Sequence, residues 1–430
     1  MKYTHLFRNF SIERIIQRFS IAAYRRQFYF LALCSASLSR WLPNFRNYFA
    51  ANPFFRNEAG LRDFLDEQFK LWEKGGIVHP KVKAEDTTAL LSVKRKVLFL
   101  FPKYIFSSKN HIRCEFDDIF LETAKAVGFD AEVFYTDTIS HPDFRDTTSP
   151  PKMDELCQRL IAFDPDIVFL ETNFIGGKTT INAEFVCEMK RRSHAKFVGF
   201  VGDAWNSYGR KVVRYWADVC DLVLHSCPSY DTHEPDVDEQ YPLANILLMP
   251  LLVNRSSFHN DEPKDIDLVF SGTFSTGLRA LWLPFAIRTA RKERLNARIT
   301  VHERKKNEAL NEDEYWRDTR HAKIALNFSS RSYSGQPVKA LTGRVWQVIA
   351  SGALLLEEDD EDIKTFFVPF IHYVPFRTVG ELSMFISFFA KNESYRRRIA
   401  DSGEQWLSEN YSNELIWSMI ISRLNLTLTD

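Results

Sequence analysis

Residues 322–363 constrain the fold more tightly than any other part of the chain. They read AKIALNFSSRSYSGQPVKALTGRVWQVIASGALLLEEDDEDI. Ile324 to Phe328 is a short apolar run of the kind that forms a strand buried on both faces. Ser329 to Pro337 is rich in Ser, Arg, Gly and Gln and predicts a flexible polar loop. From Val338 to Ala350, Leu341, Val345, Val348 and Ile349 fall on one helical face, and Ser351-Gly352 supplies a stop. Ala353 to Leu356 is a second buried strand, followed by an acidic run from Glu357 to Asp362. A strand–loop–helix–strand unit of this type puts its loop and helix start at the ligand edge of a parallel sheet. With Lys339 and Arg344 nearby, that edge suits a phosphate group. An ordinary crossover helix with two solvent-facing cations has the same pattern.

The same alternation runs through most of the chain. Apolar runs at 97–101, 131–135, 167–170, 197–201, 222–225 and 246–249 alternate with helical stretches up to residue 217, which predicts a first doubly wound α/β domain. Asn254 to Lys264 is polar and serves as a linker. Strands at 266–270 and 297–301 open a second domain, residues 312–319 form a connecting turn or short amphipathic piece, and a strand at 371–375 and helices at 379–390, 392–410 and 413–423 close the chain. No G-x-G-x-x-G follows the first strand, which counts against a nicotinamide enzyme. The 430 residues fit two or three domains.

The run K-x4-R-V-W-Q-V-I-A-S-G-A-L-L-L, from Lys339 to Leu356, resembles the donor-binding segment of GT-B glycosyltransferases, closest to the spore-maturation, CgeB-like branch. The resemblance implies an α/β, GT-B architecture: two facing Rossmann-like domains, here with a mainly helical N-terminal extension. The expected boundaries are 1–92 for the extension, 93–255 for the acceptor-side domain and 256–410 for the nucleotide-sugar domain. Residues 411–430 are expected to form a helix crossing back to the first domain. The implied donor is a nucleotide-diphosphate sugar, with no cofactor. Lys339 and Arg344 match the family's diphosphate-binding cations. Gln347 stands where the family usually has a ribose-binding Glu, a change that keeps hydrogen bonding and loses charge. The turn Ser271 to Gly277 followed by Arg279 also resembles the family, and small residues there let backbone approach a ligand. The diphosphate group is thus expected to comprise Gly272, Thr273, Arg279, Lys339 and Arg344. Gln347 is expected at the ribose, and Glu357 or Glu358 at sugar or ribose hydroxyls, unless the acidic run is a solvated surface.

Glycosyl transfer also needs an aimed acceptor hydroxyl and, for inversion, a general base. Asp203 follows a strand directly in Gly-Asp-Ala-Trp and is the first choice, with a helix N-cap as the alternative. Glu171, at the end of the preceding strand, is the rival; His111 and His225 are weaker ones. No D-x-D pair stands at a suitable strand end, so metal-independent transfer is expected, with Arg and Lys in its place. A non-catalytic binding module and a sugar-nucleotide epimerase on the same scaffold remain alternatives.

Residues 1–56 carry nine Lys/Arg and one acid, Glu13, with interleaved aromatics. They read first as a helical extension packed on the body, and second as a peripheral contact with an anionic membrane surface. Phe28 to Leu38 is too short to span a bilayer. Lys+Arg and Asp+Glu are equal at 56 each, so nucleic acid is set aside as a partner. The six cysteines lack metal-ligand spacing and read as reduced thiols of a cytoplasmic chain, peripheral at the inner membrane face if 1–56 touch lipid. The acceptor is left open.

Overall fold

The computed structural model describes residues 34, 57–78, 80, 88–104, 114–137, 152–175, 180–229, 245–259, 262–273, 279–302, 312–333 and 336–426. His111 and, apart from Cys34, residues 1–56 lie outside this set. The chain divides into two compact units, one of Lys81–Ser257 with Trp406–Asp430, the other of Met1–Pro80 with Phe258–Gln405.

The first unit is built on six strands: β1 (Lys96–Phe101), β2 (Asp130–Tyr135), β3 (Ile167–Glu171), β4 (Lys196–Val201), β5 (Leu222–His225) and β6 (Ile246–Leu248). Every pairing is parallel, in the order β2-β1-β3-β4-β5-β6. Val97 to Phe101 and Ile167 to Leu170 are buried along their whole length because helices cover the sheet. The helix Ala183–Arg192 is capped by Asn182, and Ser207–Ala217 by Asn206, whose side chain accepts from Gly209 N. The last helix, Asn413–Arg423, belongs to this unit. Its Trp417 is fully buried against Phe99, Phe129 and Phe169, and Nε1 donates to Thr123 Oγ1 at 3.2 Å.

The second unit holds β7 (Ile266–Thr273), β8 (Ala297–His302), β9 (Ala322–Asn327), β10 (Ser330–Tyr333), β11 (Gln336–Lys339), β12 (Leu354–Glu358) and β13 (Val374–Phe376). Five of them form a parallel sheet in the order β13-β12-β9-β7-β8. The helix Glu58–Glu73 packs in this unit through Leu61, Leu65 and Phe69. Its Phe64 meets Phe370 edge-on at 4.9 Å, and the Arg398 guanidinium lies 4.0 Å from the Phe69 ring centre.

Three local readings differ from the sequence expectation. Ser329 to Pro337 is not loop throughout: β10 and β11 pair antiparallel, with Ser330 opposite Lys339. The hairpin is tied to the parallel sheet, because Ser330 N and Oγ both donate to Glu358. Lys339 therefore lies on β11 rather than on the helix, which runs from Gly343 to Ala350. Residues 312–320 form a full helix (Glu312–Arg320). Glu357 and Glu358 lie inside β12 and are buried, not on a solvated surface. Among the described residues no helix is long and apolar enough to cross a membrane.

Candidate functional site

The carboxyl edge of the second unit's sheet gathers most of the residues expected at a donor. Because the strands are parallel and in register, Glu357 on β12 lies opposite Asn327 at the end of β9, and β7 ends beside them at Gly272-Thr273. Thr273 pairs with His302 of β8. Arg279 opens the helix Arg279–Lys292 and is buried, with Nη2 donating to the carbonyl of Phe328 at 3.0 Å. Arg344 opens the helix after the hairpin, and its Nη1 donates to Asn327 Oδ1 at 3.1 Å. Gly272 joins the two: a Cβ built there would stand 3.6 Å from Nη1 of both Arg279 and Arg344, and 3.0 Å from the Phe270 ring. The backbone of Gly272 is thus flanked by two guanidinium groups, a pairing suited to bidentate contact with a phosphate.

Asn327 links the cations to the acids. Its Nδ2 donates to Glu357 Oε2 at 2.8 Å and to Thr342 Oγ1 at 3.0 Å, while its Oδ1 takes the Arg344 bond. Burial drives the Glu357 carboxyl well above the usual carboxylate range, and the Asn327 bond and the Lys339 charge offset only part of that. Glu358 is raised for the same first cause, against the pull of Lys339 and its Ser330 bonds. The shifts favour the neutral acids, which limits their repulsion of an anion beside Arg344. Lys339 is exposed, and its charge acts on Glu357, Glu358 and Asp360. Gln347 is buried, and its Oε1 accepts from the Tyr315 hydroxyl at 2.6 Å. Tyr315 also stacks under Arg344, 5.8 Å from the ring centre to the guanidinium carbon. Neither Asn327 nor Tyr315 was expected at the site. Asn327 had a visible signal, a polar residue inside an otherwise apolar strand; Tyr315 lay in a stretch read as a connector.

In the other unit, Glu171 ends β3 and Asp203 sits in the turn after β4. Asp203 is exposed, accepts from Trp205 Nε1 at 2.9 Å, and does not cap the following helix, a role taken by Asn206. Glu171 is half-buried, and burial pushes its carboxyl up to about 7, with Asn173 pulling down and Asp203 pushing up. His225 is fully enclosed at the end of β5, and burial lowers it to about 4, so it is neutral near pH 7 and suits a structural role. Among the described residues no group of three His, Cys, Asp or Glu side chains could hold a metal ion.

The Asp203 turn is held by close backbone packing. A Cβ on Gly209 would come within 2.0 Å of Asp203 O and 2.8 Å of Ala204 Cα. Gly209→Ala is therefore expected to shift the turn and to cost about 1–3 kcal/mol, read as a lower urea midpoint; an unchanged midpoint would show that the turn gives way freely.

The glycosyl transferase-like family matches residues 279–420, which hold Arg279, Lys339, Arg344, Gln347, Glu357 and Glu358. No curated protein matches the chain in sequence. Among solved structures, an α-glucosyltransferase in complex with UDP-glucose and DNA containing an abasic site aligns with TM-score 0.51 and 10% identity, over 77% of this chain and 100% of that one. The sucrose-phosphate synthase of Thermosynechococcus elongatus aligns with TM-score 0.52 and 8% identity, over 77% and 98%. At such identities these likenesses speak to the fold. They give the chain a GT-B-like fold, within which residues 279–420 are similar to the glycosyl transferase-like family.

One expectation is overturned here. Nucleic acid was set aside on the balanced net charge, yet the α-glucosyltransferase of this fold was solved with DNA, as was an α-glucosyltransferase with UDP and a 13-mer DNA containing an HMU base, at TM-score 0.50 and 11% identity. Net charge sums the whole chain and is blind to how charge is distributed on one face, so it supplies no exclusion on this scaffold. The membrane contact weighed for residues 1–56 falls on residues outside those described.

Proposed function

We propose that this protein transfers a sugar from a nucleoside-diphosphate sugar to an acceptor hydroxyl. The observation that carries the reading is the convergence of Arg279 and Arg344 on Gly272 at the carboxyl edge of a parallel sheet. In the proposed arrangement the diphosphate lies along Gly272 and Thr273, with Arg279 and Arg344 neutralising the charge that grows on the leaving group. Lys339 adds a mobile point charge from the hairpin. Gln347 faces the ribose, and Glu357 or Glu358 takes sugar or ribose hydroxyls. Asp203 and Glu171 serve the acceptor in the other unit. The kinship with the CgeB-like branch and the boundaries 1–92, 93–255, 256–410 and 411–430 belong to the same proposal. So does catalysis without a metal, two guanidinium groups standing where a divalent ion would otherwise meet the diphosphate.

The test is calorimetric titration with UDP-, GDP- and dTDP-sugars, followed by turnover in an acceptor panel that includes glycans and DNA. Saturable binding of one nucleotide series with release of its diphosphate is the expected result. Binding without turnover across the panel would favour a binding module, and interconversion of free nucleotide sugars an epimerase.

A further inference from the structure

Two consecutive residues where β9 ends hold the two arginines of the donor edge. The carbonyl of Phe328 accepts from Arg279 Nη2 at 3.0 Å, and the side chain of Asn327 accepts from Arg344 Nη1 at 3.1 Å. That Nη1 is the atom that flanks Gly272, 3.6 Å from a Cβ built there. The Arg344 guanidinium carbon also lies 5.8 Å from the ring centres of both Phe270 and Tyr315. Ring faces attract a cation without choosing which of its nitrogens points where. A hydrogen bond to one named nitrogen makes that choice.

Asn327 is fully buried, and its own orientation is fixed. A guanidinium can only donate, so Oδ1 has to face Arg344. That turns Nδ2 to Glu357 Oε2 at 2.8 Å and to Thr342 Oγ1 at 3.0 Å. A flipped amide would set donor against donor at Arg344. Thr342 serves this amide instead of its helix: it is the N-cap residue of Gly343–Ala350, yet its side chain makes no capping bond. One amide thus ties β9 to β12 and to the start of the helix that carries Arg344.

We propose that Asn327 is the positioning residue of the donor site: by holding Nη1 it aims the Arg344 guanidinium at a phosphate lying over Gly272. This rests on the nucleoside-diphosphate-sugar reading and adds the side chain through which the cation is aimed. Every group involved belongs to the second unit. The choice of residue type follows from the chemistry. A carboxylate at 327 would cancel the charge that the phosphate needs, whereas an amide oxygen holds the guanidinium and leaves its charge intact. The aim matters because a planar guanidinium meets phosphate oxygens through a fork of fixed geometry. An ammonium group is a point charge with no fork to turn, so Asn327 matters only while residue 344 is arginine.

The test is a double-mutant cycle on the full chain, read by calorimetry with UDP-, GDP- and dTDP-glucose. Asn327→Leu, close to Asn in size, is expected to weaken binding of the nucleotide sugar about 10–100-fold, the range for one hydrogen bond to a charged group. In an Arg344→Lys background the same substitution is expected to cost less than about twofold, because no fork is left to aim. Asn327→Ala adds no bulk and carries the same pair of expectations should the leucine variant not fold. A purely structural Asn327 would cost the same factor in both backgrounds, and that result would overturn the assignment. So would wild-type affinity in a folded Asn327→Leu or Asn327→Ala chain. If the wild type binds none of the three nucleotide sugars, the donor reading itself fails; if it binds one and the cycle shows no coupling, only the role of Asn327 fails.

Discussion

Arg344→Ala is expected to abolish measurable nucleotide-sugar binding and to lower turnover by roughly 10²–10³-fold, the cost typical of removing one preorganised donor at a developing charge. The side chain sits at the junction of the site: it donates to Asn327, lies 5.8 Å from both the Phe270 and Tyr315 ring centres, and flanks Gly272 with Arg279. Its removal leaves Asn327 with bonds to Glu357 and Thr342, so the edge of the sheet keeps its ties and the fold is expected to survive. Arg344→Lys distinguishes charge from geometry. Lys retains the cation and loses the planar fork, so an intermediate loss is expected if the contact is bidentate. Binding in Arg344→Ala within a factor of two of wild type, by calorimetry, would remove Arg344 from the proposed site.

The largest stability effect is expected from Trp417→Ala. Trp417 is fully buried in the first unit, touches Phe99, Phe129 and Phe169, and bonds Thr123 through Nε1. Truncation removes a large apolar contact and leaves a cavity, worth about 3–5 kcal/mol. The Thr123 hydroxyl still donates to Ile119 O, so it is not left wholly without a bond. The final helix, Asn413–Arg423, is held chiefly by this face, with Ile416, Ile420 and Ile421 also buried. Earlier proteolytic cleavage near residue 412 and a urea midpoint well below wild type are the expected outcomes; a loss under about 1 kcal/mol would mean the helix is held elsewhere.

The parallel sheets were legible because strands covered on both faces are continuous apolar runs, such as VLFLF at 97–101 and LLL at 354–356. Helix ends were legible where a residue type is required, as at Gly352, whose φ of +67° few side chains adopt. The hairpin β10–β11 was not, because SRSY and QPVK carry no alternation and include Pro337; tertiary bonds from Ser330 to Glu358 anchor it. The acids of β12 misled for a related reason. Consecutive carboxylates read as solvated, and only the fold supplies Asn327 and Ser330 to accompany them inside. Arg279 and Arg344 were legible as cations near a turn, but 64 residues of intervening chain hid that Gly272 would bring them together.

The most direct test is a crystal structure of the protein grown with the nucleoside-diphosphate sugar that binds best. The diphosphate is expected over Gly272, within hydrogen-bond reach of the Arg279 and Arg344 guanidinium groups. A nucleotide bound with its diphosphate away from both arginines would contradict the account.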